Sequence, residues 1–424
     1  MPVFKSFFKN FIFLLVLAGC RAQNSDVVDV ATFTDPDGIQ IMNGLLEKLE
    51  KKEGIKARAS YIAWNEYERK IITQMAAGKA PDLVWVEVGA FVPLSHEGAF
   101  QPLDDLIARD QVDLKAFYPG VMARFSQDGK VYALPQDTAP IACLYYNKKL
   151  FRDAGLSYPN ASWTWKEFLA AAQKLTHRDS SGKTLVWGFR DNYAPDWANM
   201  IYSNGGLMVD DWKNPKHCLL ATPEAIEAVQ FQADLIRRYK VSPSSADNTS
   251  VGGSGADLMG GNGVAMLRSG YWVAGALRKF KDLDWDVAPF PKGPRAKSFA
   301  WGTGGTGWAM TRDAKDREKA WKVLKYLASE EVQKVWTAQG ATQPALLSLS
   351  KSKLFLSDLP PSGKGFLLDA PNHAIYSPNH PRWDEALLNI IGPKIDTVML
   401  GQAQAEPVMK KIAADIDAQI LATK

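Results

Sequence analysis

The chain has 424 residues, 46% of them apolar and 23% charged, with 50 Lys and Arg against 46 Asp and Glu and a formal charge of +4. That length holds two or three domains with cores of their own. A near-balanced charge with no Lys/Arg cluster excludes a nucleic-acid footprint, and no segment after the N-terminal leader has the roughly 18 uninterrupted apolar residues of a membrane span. The 14 Trp and 13 Tyr exceed what a core alone requires, so part of them is expected on a surface that stacks against something flat and partly apolar.

The first element is read as a leader. Lys5 and Lys9 precede the apolar run Phe11–Leu17, and Ala18 and Gly19 follow it. That run is far short of the roughly 20 residues that cross a bilayer, and the order of charge, apolar stretch and small residues is that of an export signal. The "LAGC" that ends it resembles the lipobox of bacterial lipoproteins. The resemblance implies removal of residues 1–19, lipidation of Cys20 and a tether over 20–26; an ordinary secretory signal is the alternative. Loss of Lys5 and Lys9 would lower the formal charge to +2. Acyl chains contribute about 0.8 kcal/mol per methylene buried in lipid.

Strand, helix, strand, helix, strand then follow from Val27 to Val88. "VVDVATFTD" reads as a strand, and "DGIQIMNGLLEKLEKKEG" as a helix closed by Gly54. "IKARASYIAW" is a strand ending at Trp64. Tyr67, Ile71 and Met75 recur every four residues on one helical face, and "DLVWVEV" is an apolar strand. This alternation predicts a parallel sheet with helices on both faces, whose ligands sit beyond the carboxyl ends of the strands. Asp35, Trp64 and Glu87 stand at those ends.

Further on, "VYALP" and "IACLYYN" read as strands flanking Gln136–Pro140. Thr164 and Glu167 have capping-box spacing. Thr222 with Pro223 opens a helix whose stripe is Ile226, Val229, Ala233 and Ile236. Ser242–Gly255 reads as a loop. "NGVAMLRSGYW" is a strand running into a turn, "DREKAWKVLKYLASEEVQKVW" is a long helix or a bent pair, and the tail is mostly helical. Cys143 and Cys218 could pair, but two buried free thiols are favoured because nothing places them within bonding distance.

Six segments in order now carry a resemblance: "YERKIITQMAAGKAPDLVWV", "LYYNKKLFRDAGL" with "TWKEFLAAAQKL", "GNGVAMLRSGYW", "DVAPFPKGP", "GTGGTGWAM" and "AWKVLKYLASEEVQKVWTAQGATQPA". Together they resemble the extracellular solute-binding proteins of bacterial ABC importers, in the class that takes sugars. The resemblance implies an α/β two-lobe clamp, each lobe a mainly parallel sheet flanked by helices. It also implies about three hinge crossings, placed here near Gln136–Pro140, Pro289–Ser298 and Ala341–Leu346. The lobes would be residues 27–137 with 298–343, and 140–290 with 346–424, the tail helices being free to pack on either. It further implies an exported, membrane-anchored binder without catalytic function or cofactor. Its partners would be a carbohydrate and an ABC permease, and it would act as a monomer.

Sugar recognition needs aromatic faces for C–H surfaces and polar partners for hydroxyls. Trp272 after "SGY" is the first candidate for a stacking platform, with Tyr271 beside it. Trp64, Glu87 and Asp137 sit at strand ends or loops. Gly304 and Gly305 in "WGTGGTG" would let a sugar approach backbone N–H groups. Arg382 offers donors in a fork, and Trp383 offers a ring. Tyr193, Trp197 and Asn204 are weaker candidates on the second lobe. Each has a structural alternative: core packing for the aromatics, capping or ion pairing for the charged groups.

Gly302-x-Gly304-x-x-Gly307 matches a dinucleotide fingerprint in form, but the sequence after it is strand-like and offers no helix N-terminus for a pyrophosphate. The five histidines lack metal-site spacing. Glu87 and Asp137 could be imagined as a glycosidase pair, without local support. A surface polysaccharide binder without an importer, and a glycerol-phosphate or sugar-acid binder with the same clamp, are the alternative functions.

Overall fold

A computed structural model describes residues 26–34, 36–192, 196–251, 253–357 and 359–422. The leader, Cys20, most of the tether, Asp35 and Tyr193 lie outside the described residues. The principal strands in chain order are β1 (Val27–Thr32), β2 (Lys56–Tyr61), β3 (Leu83–Glu87), β4 (Ala133–Pro135), β5 (Cys143–Asn147), β6 (Thr184–Asp191), β7 (Val264–Ser269), β8 (Trp285–Pro289) and β9 (Thr306–Met310). They form two sheets, ordered β2-β1-β3-β9-β4 and β8-β5-β7-β6, the second with the short strand His177–Arg178 on its edge.

In the first sheet β1 is parallel to β2 and β3, while β9 is antiparallel to β3 and β4. In the second, β6 and β7 are parallel and β5 is antiparallel to β7 and β8. Each sheet thus carries one reversed strand in its interior. The cause is where the chain enters. Strands of the strand–helix–strand units end at the face between the sheets, whereas β5 and β9 begin there, each directly after the chain crosses from the other lobe.

The first sheet is covered on both faces. Val28, Val30, Leu83, Trp85, Trp308 and Met310 face one core with helix α1 (Pro36–Glu53) and helix Arg317–Leu327. Ala31, Val84, Val86 and Ala309 face another with helix α2 (Trp64–Ala76), through Tyr67, Ile71 and Met75. A strand buried on both sides has no polar alternation, which explains "LVWV" in β3. Burying each such aliphatic side chain contributes about 1.5–3 kcal/mol. The second lobe has its own core, from Ala142 to Phe290, and the tail helices from Trp383 to Ile420 pack into it.

Chain crossings differ in place from the expected ones. The first, at Gln136–Pro140, contains the pair of Asp137–Thr138 with Gln343–Pro344. The second lies at Thr303–Gly305, not Pro289–Ser298. The proline-rich stretch is held on the second lobe: Gly293 donates to the Ser203 carbonyl at 2.7 Å, and Arg295 pairs with Glu227 at 2.7 Å. Gly305 turns the chain at φ +117°, which L side chains rarely adopt. The third lies after Ser350, since Leu346 and Leu349 still pack in the first lobe and Phe355 in the second.

Two local readings are also corrected. Ser242–Gly255 is not a loop throughout: helix Ser245–Val251 lies in it, started by Ser244, whose hydroxyl accepts from the Asp247 N–H at 3.1 Å while Asp247 accepts from the Ser244 N–H at 2.9 Å. Thr222 makes no side-chain cap, although Pro223 opens the helix as expected. The Thr164–Glu167 capping box is present. Cys143 and Cys218 are free and buried, and burial pushes both thiols up to about 12.

Candidate ligand-binding cleft

The carboxyl ends of β1 and β3 and the first turn of α2 meet at a pocket of about 540 Å³, whose lining includes Phe33, Trp64, Glu68, Glu87, Ala90 and Leu388. Trp64 does not end a strand: β2 stops at Tyr61, and Trp64 is the first residue of α2. Trp64 is 55% exposed, its ring meets Phe33 edge-on at 4.9 Å, and Phe33 in turn stacks on Trp85 at 5.1 Å. The aromatic surface is therefore held from behind and open in front. Leu388, 73% exposed, comes from the tail packed on the second lobe, so both lobes line the pocket.

Glu87 ends β3 beside the second crossing. A Cβ on Gly304 would lie 3.2 Å from Glu87 Oε1, so the glycine leaves room for that carboxylate. Gly304 donates to the Ala139 carbonyl at 3.1 Å, which ties the first two crossings together. Asp137 is buried, and its carboxylate accepts from the Thr306 N–H at 2.8 Å. Burial pushes its carboxyl up to about 7, and the bond from Thr306 pulls the other way. Asp137 thus braces the hinge that carries Gly304 and Gly305. A strand follows these glycines, and no helix starts there.

On the second lobe, Trp272 follows β7 and is 37% exposed. A Cβ on Gly270 would lie 1.8 Å from the Trp272 ring, so only glycine lets that ring lie where it does. Tyr271 is buried; its hydroxyl accepts from Arg278 at 3.1 Å and its ring meets Phe355 at 5.2 Å, an anchoring position behind Trp272. Arg278 also donates to the Gly340 carbonyl of the first lobe at 2.8 Å, and Lys279 pairs with Asp37 at 2.8 Å. These are ties between lobes.

Arg382 and Trp383 are placed differently from Trp64 and Trp272. Arg382 donates twice to Glu385, both at 2.8 Å, and once to the Gln419 carbonyl at 2.8 Å, so it braces the tail helices. Trp383 is 3% exposed and sits in the second core. Trp197 is likewise in that core. Asn204 donates to the Glu224 carbonyl at 2.9 Å and Glu227 at 3.1 Å, and accepts from the Arg295 N–H at 3.2 Å.

Three charged residues, of which Glu68 lines the pocket, escaped the sequence reading. Glu68 lies one helical turn after Trp64, and that i, i+4 spacing was the available signal. Asp384 stands one turn before Leu388 on the tail. Arg124, at the end of helix Pro119–Arg124, is buried; it donates to the Ser377 carbonyl at 2.9 Å and lies 5.3 Å from the Trp212 ring, so a first-lobe cation is seated in the second lobe. Burial pushes its guanidinium down to about 10. Nothing in the residues around Arg124 signals this long-range contact.

Comparison with known proteins identifies the frame. Residues 35–334 match the model of the bacterial extracellular solute-binding protein family. A maltooligosaccharide ABC transporter solute-binding lipoprotein of Streptococcus pneumoniae is 23% identical over 337 residues, 76% of this chain and 75% of that one. An sn-glycerol-3-phosphate-binding periplasmic protein of Brucella abortus is 31% identical over 192 residues, 42% of this chain and 43% of that one. An ABC substrate-binding protein from Listeria monocytogenes, solved in complex with cycloalternan, superposes with a TM-score of 0.82 at 24% identity, covering 92% of this chain and 98% of that one. With two sheets joined by hinge crossings around a pocket lined from both sides, this chain belongs to the bacterial extracellular solute-binding proteins, exported transport components that bind rather than transform their solute.

Proposed function

We propose that this protein binds a neutral carbohydrate, a disaccharide or short oligosaccharide, in the cleft between its lobes and delivers it to an ABC-type importer. The observation that carries the reading is the open Trp64 ring, backed by Phe33 and Trp85, in a pocket that also presents the Glu68 and Glu87 carboxylates. An aromatic face takes the C–H side of a sugar ring, and carboxylates accept its hydroxyls. Trp272, Gly304 and Gly305 would extend the site along the cleft. The pneumococcal relative and the Listeria complex support the solute class. The Brucella relative favours a second reading, an anionic solute such as a glycerol phosphate, with Arg69 of the pocket lining as its partner.

A thermal-shift screen over mono-, di- and oligosaccharides together with sn-glycerol 3-phosphate tests this. A ligand at 100 times its dissociation constant stabilises by about 2.7 kcal/mol. A shift with a di- or oligosaccharide and none with the phosphate is expected. A shift with the phosphate alone would replace the carbohydrate reading by the second one. The protein is further read as a monomer held at the membrane by lipid on Cys20. Cys20→Ala is then expected to move it from the membrane to the soluble fraction, with a matching loss of acyl mass.

A further inference from the structure

Outside the pocket, the two lobes are shaped to each other at helix Pro119–Arg124. The helix belongs to the first lobe, since Val121 and Met122 lie in the cores on either face of its sheet. Its last residue, Arg124, is 2% exposed and reaches into the second lobe. There it donates to the Ser377 carbonyl at 2.9 Å and lies 5.3 Å from the centre of the Trp212 ring. Trp212 meets the Tyr376 ring at 5.1 Å, and the Asn379 N–H donates to the Trp212 carbonyl at 2.6 Å. One guanidinium, two rings and one loop thus form a single seat. Gly120 stands one helical turn before Arg124. A Cβ there would lie 2.1 Å from the Tyr376 hydroxyl oxygen and 2.8 Å from the ring carbon that bears it. Tyr376 is itself buried, so a rigid ring with little room to move meets the bare helix backbone. Glycine is the poorest helix former after proline, and here it admits a side chain of the other lobe. The same device recurs close to the hinge, where a Cβ on Gly340 would lie 2.0 Å from Arg278 Nη1. Neither Gly120 nor Arg124 lines the pocket.

We propose that Gly120, Arg124, Trp212 and Tyr376 form a latch for the closed clamp, which sets solute affinity without touching the solute. The seat is made at the interlobe angle at which both lobes line the pocket, the angle at which a solute is held from both sides. The lobes have separate cores, so a change of angle draws Arg124 away from the Ser377 carbonyl and the Trp212 ring together. A desolvated cation on a ring and a charge-assisted hydrogen bond favour the one arrangement that makes them. Apparent affinity falls with the fraction of protein in the binding-competent arrangement. The latch goes beyond the choice of solute and holds for either class.

Gly120→Ala and Arg124→Lys test it in the full chain. Alanine favours the helix and spares the first lobe, while its methyl wedges against Tyr376. Lysine keeps the charge and loses the planar fork that reaches Ser377 and Trp212. The probes are maltotriose and sn-glycerol 3-phosphate, and the one that binds wild type is titrated by calorimetry into each variant. Each substitution should weaken binding about tenfold or more, and stopped-flow fluorescence should place the loss in the dissociation rate. Without ligand, Gly120→Ala should melt at or above wild type, because the open protein does not make the seat. Its radius of gyration should then match wild type, and about ten times more ligand should be needed to contract it. Unchanged affinity in both variants overturns the latch. Tighter binding also overturns it, because the seat would then hold the lobes away from the solute. A Gly120→Ala chain that melts well below wild type would mean that the seat supports the free fold, which overturns it as well.

Discussion

Trp272 and Trp383 carry the same side chain to different ends. Trp272 is partly open at the end of β7, and Trp383 is sealed in the second core. Trp272→Ala should lower sugar affinity by about 2 kcal/mol, the scale of an aromatic anchor, with little change in Tm. Trp383→Ala should do the reverse and cost about 3–5 kcal/mol of stability through the cavity left behind. Fluorescence titration and thermal melts of the two variants separate these roles. Equal loss of affinity in both would mean that Trp383 also reaches the ligand. Asp137 gives a second residue-scale expectation. Its folded carboxyl titrates at about 7, and an unfolded one at about 3.9. Its contribution to stability is therefore full below about pH 4 and is lost as pH rises through 7. Asp137→Asn keeps an oxygen for the Thr306 N–H, so the variant should gain in Tm over wild type as pH climbs from about 4 to 7, with a constant gap above. A gap that shrinks with pH would contradict a carboxyl raised by burial.

Elements with strong periodicity were legible in the sequence. The Tyr67, Ile71, Met75 face of α2 is the buried one, and Gly54 and Gly78 end their helices at φ +70° and +63°. Ile71 lies in the core under the first sheet, so Ile71→Ala should cost about 2–5 kcal/mol, read as a lowered midpoint in urea unfolding. Helix Ser245–Val251 was hidden because its glycine- and serine-rich surroundings resemble a loop, although Ser244 and Asp247 have capping spacing. The crossings were misplaced for a related reason. Prolines mark stiffness, but Pro289 and Pro291 stiffen a segment that Ser203, Asn204 and Glu227 fasten to the second lobe. The glycines at 304 and 305 make the turn. At the candidate site, Glu87 stands at the end of its strand as the sequence predicted, whereas Trp64 reaches the same pocket as the first residue of α2 and not as a strand end. Trp383 was named as a ring candidate, but its burial was not legible, because one ring beside an arginine reads alike whether it faces solvent or a core.

On the scale of the whole molecule, two cores are joined by crossings braced by Asp137, Gln343 and Gly304. Beyond the hinge, the lobes touch through Arg124 with Ser377 and Trp212, Arg278 with Gly340, and Lys279 with Asp37. The exposed Lys279–Asp37 pair contributes little, whereas the seated Arg124 fixes how the lobes meet. A ligand that contacts Trp64 and Glu68 on one lobe and Leu388 and Trp272 on the other favours the closed arrangement by its contacts with both. Small-angle scattering with and without the sugar selected by the screen tests that claim most directly. A smaller radius of gyration in the saturated protein is the predicted result. An unchanged radius, with binding confirmed by calorimetry on the same sample, would contradict a clamp that closes on its ligand.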